Sequence, residues 1–262
     1  MAALEVPITQ INLHHSKCAS AMLVRSSAKM QTCIALIQEP WLSHGAIKGL
    51  SGCGAIHKAN TGDKIRACVA TKGITVTFMP QLSCGDLAVV QTTINLGEEG
   101  TMEILVGSAY MPYDSKEPPP QDEIKKLVTY AEEKGLELLL GCDANSHHVG
   151  WGSSDINQRG ESLHTFVMGA GLILLNRGNT PTFRDSRREE VIDITICTER
   201  VSELVRDWRV LDEPSGSDHS RIQFSLRHIV KEKWIRNPRK TDWEGYRKDL
   251  KAMLTKAPTR FH

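Results

Sequence analysis

The segment GCDANSHHVGWG at residues 141–152 places one carboxylate, one amide and two imidazoles within six residues. Paired histidines are typical of a zinc site, but zinc would need further ligands at suitable spacing, and the chain offers carboxylates and amides instead. We therefore expect Asp143 and Asn145 to carry the chemistry of this segment. The two histidines and Trp151 are predicted to serve packing and loop shape.

Six further polar residues lie at or near the ends of predicted strands: Asn12, Glu39, Tyr110, Asp193, Asp218 and His219. Loops beyond strand ends are where rigid scaffolds present reactive groups. A single aspartate after a strand is more often a helix cap or a turn former. Asp193 differs, because it lies within the apolar run VIDITI, where burial of an acid is costly unless it is paired. Asp193 is therefore the member of this set that is hardest to explain as a cap or a turn former.

Strand and helix patterns indicate what must position these residues. Strand-like stretches recur along the chain: ITQINL, CIALIQ, RACVAT, ITVTFM, LAVVQTTINL, MEILVGSAY, LELLLG, LILLN, VIDITI, LVRDWRV and RIQFSL,. Three helices are predicted, in SKCASAMLVRSSAKM, EPPPQDEIKKLVTYAEEKG and RGESLHTFVMGAG,. His14 and His15 are expected to start the first helix. In the third, Ala170 is expected to be buried and Gly171 to stop the helix. Many strands with few helices favour a layered α/β protein with antiparallel or mixed sheets.

Composition is that of an ordinary globular protein, with 262 residues, 40% hydrophobic and 24% charged,. No run reaches the roughly 18 to 20 apolar residues of a membrane span. The first residues lack the basic and apolar regions of a signal peptide, which predicts an intracellular protein. Seven scattered cysteines without a CxxC pair are expected to be mostly buried apolar residues rather than a disulfide framework,.

The sequence changes character after residue 228. Residues 231–262 carry ten Lys/Arg against four Asp/Glu, whereas the preceding part is net acidic. We predict a domain at 1–228, followed at 229–262 by a basic connector and a helix in DWEGYRKDLKAML. A basic extension can lie along phosphates, and a solvated linker and helix fits the composition equally well.

Six ordered segments carry a resemblance to a known superfamily: QIN at 10–12, QEPW at 38–41, SAYMP at 108–112, GCDAN at 141–145, VID at 191–193 and SDH at 217–219. Together they resemble the endonuclease/exonuclease/phosphatase superfamily, which includes pancreatic deoxyribonuclease and apurinic-site endonucleases. The resemblance covers roughly residues 6–228. It implies an α/β four-layer sandwich, with two mixed β-sheets packed face to face, helices outside and the site at one end.

Within that superfamily the chain resembles the endonuclease domain of arthropod-type non-LTR retrotransposons. The segments that carry this likeness are QINLHHSKCAS, NSHHVGWGS, RGE at 159–161 and RNPRKTDW at 236–243. The last is similar to the connector that leads into a reverse transcriptase, although the chain contains no polymerase motif. The likeness implies a metal-dependent endodeoxyribonuclease of the nucleus. It would nick double-stranded DNA and leave a 3′-hydroxyl for target-primed reverse transcription, with element RNA and a reverse transcriptase domain as further partners.

The resemblance also implies a metal site. Glu39 would supply a hard carboxylate ligand for Mg²⁺, for which Mn²⁺ could substitute. Asn12 and Asp218 would complete or support the set of metal ligands.

The remaining catalytic residues would handle water and phosphate. Asp143 would orient or deprotonate the attacking water, with Asn145 beside it. His219 would contact the scissile phosphate, while Asp193 would hold its ring and raise its pKa. Tyr110 would donate a hydrogen bond to a phosphate oxygen. Asp143 and His219 are both compatible with the role of proton acceptor.

A turn at NTPTF and the following RDSRRE segment are candidates for DNA contact. Thr182 and Arg184 would touch phosphates, and Arg187 and Arg188 would approach the DNA backbone. A turn that caps a strand and a solvated loop are equally compatible with these segments.

Two other functions are compatible with the same residues. One is a repair nuclease or a phosphatase of the same superfamily, against which the retroelement-like segments argue. The other is an inactive, co-opted copy that only binds nucleic acid, against which the complete set of expected catalytic residues argues.

Overall fold

Two six-stranded mixed β-sheets form the body of the described part of the chain in a computed structural model. The described residues are 2–60, 64–230 and 242–256. Ala2–Val230 form one compact unit.

The first sheet has the amino-terminal strand near its centre. Its strands, numbered in chain order over the whole protein, are β1 (Ala2–Asn12), β2 (Cys33–Gln38), β5 (Ala55–His57), β6 (Ala67–Lys72), β15 (Val205–Val210) and β16 (Ile222–Val230). Their spatial order is β15-β16-β1-β2-β6-β5. β1 and β2 are parallel, and the other neighbouring pairs are antiparallel.

The second sheet follows the same plan. Its strands are β7 (Val76–Phe78), β8 (Leu87–Asn95), β9 (Thr101–Tyr110), β10 (Glu137–Asp143), β11 (Ile173–Leu174) and β14 (Asp193–Cys197). Their spatial order is β11-β14-β10-β9-β8-β7. Here β9 and β10 are the parallel pair, and antiparallel strands flank them. Each sheet therefore has a central parallel pair whose carboxyl ends point the same way.

α-Helices, short ribbons and four three-residue 3₁₀ helices complete the described elements. The ribbons are β3 (Leu42–Ser43) with β4 (Ala46–Ile47), and β12 (Phe183–Arg184) with β13 (Glu189–Glu190). The helices are α1 (Lys17–Ser27), α2 (Asp122–Lys134), α3 (Gln158–Gly169), α4 (Glu199–Ser202) and α5 (Trp243–Lys256). Ser16 caps α1 by accepting a hydrogen bond from the Ala19 amide, and Gly135 ends α2 with φ 62°,. α1 connects β1 to β2 and α2 connects β9 to β10, because parallel neighbours need a crossover.

The compact unit has four layers, which three clusters of apolar side chains hold together. One cluster fills the space between the sheets and includes Ile8 and Leu36 from the first sheet with Val90 and Val106 from the second. A second cluster packs α2 and α3 against the other face of the second sheet, and a third packs α1 against the other face of the first. Side chains that alternate along each strand supply both faces. The predicted four-layer α/β sandwich with helices outside is confirmed.

Several element boundaries differ from the prediction. α3 ends at Gly169 with Ala170 as its C-cap, and Gly171, with φ 63°, is the stop residue as predicted, but Ala170 is exposed rather than buried. The LILLN segment forms only the two-residue β11, and the strand predicted in VIDITI begins at Asp193. The sequence did not predict the two ribbons, and it also did not predict strand β5 or helix α4. Elements of two to four residues are too short for a hydrophobic period to be recognised.

The basic connector predicted after residue 228 falls mainly on residues 231–241, which lie outside the described residues. The helix predicted beyond it corresponds to α5. Within the described ranges, no helix combines the length and the apolarity needed to cross a membrane. All seven cysteines are free, and five of them are buried.

Candidate active site

The carboxyl ends of the two parallel strand pairs meet at one end of the sandwich. β1 ends at Asn12 and β2 is followed by Glu39, whereas β9 ends at Tyr110 and β10 at Asp143. Asn12 forms a hydrogen bond with Asp143 across the two sheets, which brings the four strand ends together. The shared plan of the sheets therefore explains why residues far apart in the chain become neighbours.

The adjacent antiparallel strands bring their amino ends to the same place. Asp193 begins β14 and lies opposite Asp143 in the strand register, and the segment before β16 contains Asp218 and His219. A cavity of about 720 Å³ opens at this end. Seven of the eight predicted catalytic residues line it: Asn12, Glu39, Tyr110, Asp143, Asn145, Asp218 and His219. Asp193 lies behind the ring of His219.

Asn12 links carboxylates that belong to different sheets. Its Nδ2 donates to Oδ2 of Asp143 at 2.7 Å and to Oε2 of Glu39 at 3.2 Å. Its Oδ1 accepts the main-chain N–H of His14 at 2.7 Å. The amide nitrogen therefore faces the two acids, and the predicted role of Asn12 as a metal ligand would require the amide to turn over.

His14 and His15 lie in the turn before α1, with φ of 45° and 52°. The helix itself begins at Lys17, and the two imidazoles turn toward the site instead of supporting the helix start that we predicted. Nδ1 of His14 lies 2.6 Å from Oδ2 of Asp218, and Nε2 of His15 lies 3.4 Å from Oε1 of Glu39. Sequence reasoning missed both contacts, because no local pattern connects these histidines to those acids.

Glu39 and Asn145 also have a left-handed backbone, each with φ 44°. This conformation is uncommon for residues other than glycine and persists where the surroundings enforce it. The Glu39 amide donates to the carbonyl of Arg66 at 2.8 Å, and Nδ2 of Asn145 donates to the carbonyl of Met111 at 3.3 Å. These bonds hold both residues at the cavity.

Asp143 is almost fully buried, with 1% of its surface exposed. Besides the bond from Asn12, its Oδ1 accepts the main-chain N–H of Asn145 at 3.2 Å. Burial raises the pKa of Asp143 to about 7, while the charge of His219 opposes the rise and that of Asp193 adds to it. The carboxyl group is therefore suited to exchange a proton near neutral pH.

Asp193 and His219 form a buried ion pair. Nδ1 of His219 donates to Oδ2 of Asp193 at 2.8 Å. Burial lowers the pKa of His219, but the carboxylate of Asp193 and its hydrogen bond outweigh that effect and raise the pKa to about 9. The imidazolium form is therefore favoured, and Nε2 is the ring nitrogen left for the cavity.

Thr182 is fully buried, with 0% of its surface exposed. Its Oγ1 accepts the main-chain N–H of Ile192 at 3.1 Å and that of Asp193 at 2.9 Å. An inaccessible hydroxyl does not reach a DNA phosphate. The predicted phosphate contact is therefore corrected to a contact that holds Asp193 in place.

Three arginines lie near the cavity in different arrangements. Arg184, predicted to contact a phosphate, lies on β12 with its Nε 3.5 Å from Oε1 of Glu189, and it does not line the cavity. Arg188 does line the cavity. Arg159 lines it as well, with Nε donating to the carbonyl of Asn145 at 3.1 Å. Sequence reasoning did not predict Arg159 as a site residue. It noted Arg159 only within the RGE segment, and that segment has no local pattern that indicates a site.

The donor set around the cavity suits a hard cation. Glu39, Asp143 and Asp218 present carboxylates, and within the described ranges none of the three is ion-paired with lysine or arginine. Ligand atoms of Asp143, Asp193 and His219 also lie within 4.8 Å of one another, although the last two already bond to each other. Oxygen ligands with surplus negative charge fit Mg²⁺ or Mn²⁺ better than Zn²⁺. The residues present therefore fit the predicted cation.

Comparison with protein families and curated sequences gives one match. A family model described as endonuclease-reverse transcriptase matches residues 104–223. A search of curated protein sequences finds no significant match.

Solved structures with the same fold include a retrotransposon endonuclease domain and two less similar proteins. The endonuclease domain of TRAS1, a telomere-specific non-LTR retrotransposon, has a TM-score of 0.72 and 30% identity, with 86% of this chain and 99% of that domain covered. The catalytic domain of Xenopus laevis APE2 has a TM-score of 0.60 and 14% identity, with 87% and 94% covered. An AP endonuclease from Archaeoglobus fulgidus has a TM-score of 0.56 and 11% identity, with 84% and 99% covered. The last two are similar in fold alone.

Proposed function

The chain belongs to the endonuclease domains of non-LTR retrotransposons, within the endonuclease/exonuclease/phosphatase superfamily, and from this membership we propose that it is a Mg²⁺-dependent endonuclease that nicks double-stranded DNA. The observation that carries the proposal is the cavity in which Asn12, Glu39, Asp143 and His219 meet. Hydrolysis of a phosphodiester needs a positioned water and neutralisation of the charge that develops on phosphorus. An acid, an imidazolium and oxygen ligands in one cavity fit those needs.

Glu39 and Asp218 are the proposed ligands of the cation, with Asn12 as a third ligand if its amide turns over. When bound, Mg²⁺ would supply positive charge that stabilises the transition state. The amide of Asn12 keeps Glu39 and Asp143 close together. His14 would hold Oδ2 of Asp218 in place, and His15 would hold Oε1 of Glu39.

Asp143 is the proposed proton acceptor and His219 the proposed cationic donor. Both pKa values are raised, to about 7 for Asp143 and about 9 for His219, so that near neutral pH the aspartate can accept a proton while the imidazolium still holds one,. Asp143 would take the proton of the attacking water, with Asn145 beside it. His219 would donate from Nε2 to a phosphate oxygen while Asp193 keeps the ring charged.

Phosphate and product roles complete the proposal. The hydroxyl of Tyr110 would donate to a phosphate oxygen, and Arg159, Arg184 and Arg188 would contact the DNA backbone. Water would form a new bond to phosphorus as the bond from phosphorus to the 3′ oxygen breaks, and the leaving oxygen would take up a proton from solvent, which gives a 3′-hydroxyl and a 5′-phosphate. In the parent element that hydroxyl would prime reverse transcription, with element RNA and a reverse transcriptase domain as partners in the nucleus.

The test is nicking of a supercoiled plasmid with Mg²⁺, with and without EDTA. We expect Asp143→Ala and His219→Ala to lower the nicking rate about 10²- to 10⁴-fold, as loss of an acid or a base does. Glu133→Ala, an exposed acid on α2, is the control and should nick at the wild-type rate. Nicking that is unchanged in both site variants would contradict the mechanism.

Substrate assays separate the alternative functions. Extension of the nick by a DNA polymerase would support the 3′-hydroxyl product. Faster cleavage of abasic DNA than of intact plasmid would favour a repair nuclease, and release of phosphate from a phosphoinositide would favour a phosphatase. DNA binding without cleavage by the wild-type protein would favour an inactive copy.

A further inference from the structure

An arginine–aspartate pair joins the two sheets beside the cavity. Arg66 directly precedes β6 of the first sheet, and Asp86 directly precedes β8 of the second. Nε and Nη2 of Arg66 donate to Oδ1 and Oδ2 of Asp86, each at 2.5 Å. Two parallel bonds from a planar guanidinium fix orientation as well as distance, which a lysine at the same position does not do.

Each partner of this pair also holds one site residue through the main chain. The carbonyl of Arg66 accepts the N–H of Glu39 at 2.8 Å, and the carbonyl of Asp86 accepts the N–H of Tyr110 at 2.8 Å. The guanidinium of Arg66 lies 5.0 Å from the centre of the Tyr110 ring, within the range of a cation–π contact,. Contacts therefore run without a gap from Glu39 through Arg66 and Asp86 to Tyr110.

The pair lies outside the set of residues that form the cavity wall. Neither Arg66 nor Asp86 lines the cavity. Their side chains are 25% and 27% exposed, so solvent screens this pair less than it screens an ion pair on an open surface,.

We propose that the Arg66–Asp86 pair is a positioning clasp that sets the separation between Glu39 and Tyr110. It thereby aligns the carboxylate that would hold the cation with the hydroxyl that would contact the phosphate. The proposal rests on the proposed function, which gives those two residues their roles. A second consequence follows from the main-chain bonds, since the clasp also protects the amides of Glu39 and Tyr110 from opening.

The kinetic test combines Arg66→Met with Tyr110→Phe. In the wild-type background we expect Arg66→Met to lower kcat for nicking at least about 10-fold with KM for DNA nearly unchanged, because the clasp orients groups but does not touch DNA. In the Tyr110→Phe background the same change should cost clearly less than in the wild-type background, because one of the two groups that the clasp aligns, the hydroxyl, is already gone. Equal losses in the two backgrounds, or no loss in either, would overturn the clasp.

The structural test is hydrogen exchange of the Glu39 and Tyr110 amides, which does not depend on activity. Arg66→Met should speed exchange at both amides at least about 10-fold and leave Ile104, in the middle of β9, unchanged,. Faster exchange everywhere would indicate general destabilisation and overturn the proposal, as would no change at either amide. If the wild-type protein does not nick DNA, the proposed function fails, and this measurement still decides whether the clasp exists.

Two alternative variants and one control variant complete the test. Arg66→Lys and Asp86→Asn are milder changes, and both should show the same pattern if Arg66→Met does not fold. Arg227→Met, which breaks the ion pair with Glu99 at 2.8 Å, is the control, because Arg227 lies far along β16 from the cavity. It should leave kcat and the exchange of the Glu39 and Tyr110 amides unchanged.

Discussion

Asp143 illustrates how a single buried carboxyl group can couple the site to the stability of the fold. Its pKa is about 7 in the folded protein against the ordinary value of 3.8, and burial is the main cause. The folded state therefore holds the proton more tightly than the unfolded state. The stability that this group contributes is fully present below pH 3.8 and is lost as the pH rises through 7.

We expect Asp143→Asn to flatten the pH dependence of stability between pH 4 and pH 7. Because the amide carries no charge, the variant should be more stable than the wild type at pH 8 by on the order of a few kcal/mol, since each tenfold difference in proton affinity between the folded and unfolded states contributes about 1.4 kcal/mol. Urea unfolding in EDTA at several pH values measures this difference. A variant that follows the wild-type pH profile would show that Asp143 is not the group responsible.

Thr182 is a buried residue that we expect to affect the reaction through Asp193 without reaching the substrate. Thr182→Val keeps the shape but leaves two buried N–H groups, those of Ile192 and Asp193, without an acceptor. We expect the free energy of unfolding to fall by about 1–3 kcal/mol and kcat for nicking to fall, with KM for DNA unchanged. Thr182→Ser keeps the oxygen and should behave like the wild type. A raised KM for the valine variant would instead support the original prediction that Thr182 contacts a DNA phosphate.

At the scale of elements, the amino end of α3 packs against the loop that follows β10. A Cβ added to Gly160 would lie 1.7 Å from the carbonyl oxygen of His147, whereas one added to Gly169 at the other end of the helix meets nothing within 4 Å. The same helix therefore contains one glycine that is required for close approach and one that is not.

We expect Gly160→Ala to destabilise the protein by about 3 kcal/mol, because the contact is with backbone and forces α3 to move. Gly169→Ala should be neutral or stabilise by about 0.4–1 kcal/mol, because alanine restricts the unfolded chain. Thermal or urea unfolding of the two variants gives the comparison. Equal stability of the two would mean that α3 does not pack as described.

At the scale of the whole molecule, polar side chains cross the space between the sheets just beneath the site. Nε2 of Gln10 donates to the carbonyls of Cys142 and Ile194, at 3.2 and 3.1 Å, and Nε2 of Gln38 donates to the carbonyl of Gly141 at 3.1 Å. Gly141 permits this approach, since a Cβ there would lie 2.7 Å from Oε1 of Gln10. Buried polar contacts of this kind fix how the two sheets are placed relative to each other.

The compact unit should fold without the residues that follow it. Ala2–Val230 form one unit, and the TRAS1 domain is matched over 99% of its length by 86% of this chain. We expect a chain that ends at residue 232 to unfold in a single transition within a few degrees of the full chain and to nick plasmid DNA at a similar rate at low salt. A large fall in melting temperature would place residues 233–262 inside the folded domain.

The sequence by itself determined the types of element and the candidate residues. Apolar runs such as CIALIQ predicted β2 with its observed bounds, and the run before Asp143 predicted β10, because hydrophobic periodicity is a local property that each segment carries alone,. The order of the motifs was sufficient for the family resemblance. The polar residues predicted at strand ends include seven of the sixteen residues that line the cavity.

Only the tertiary structure decided what each side chain faces. His14 meets Asp218 across 204 residues, and Asn12 meets Asp143 across 131. Thr182 turned out to be buried for the same reason, since its surroundings come from other segments. Such contacts depend on how two sheets pack together, and no single segment encodes that packing in its periodicity. The arginine–aspartate clasp is likewise a product of sheet packing rather than of any local motif.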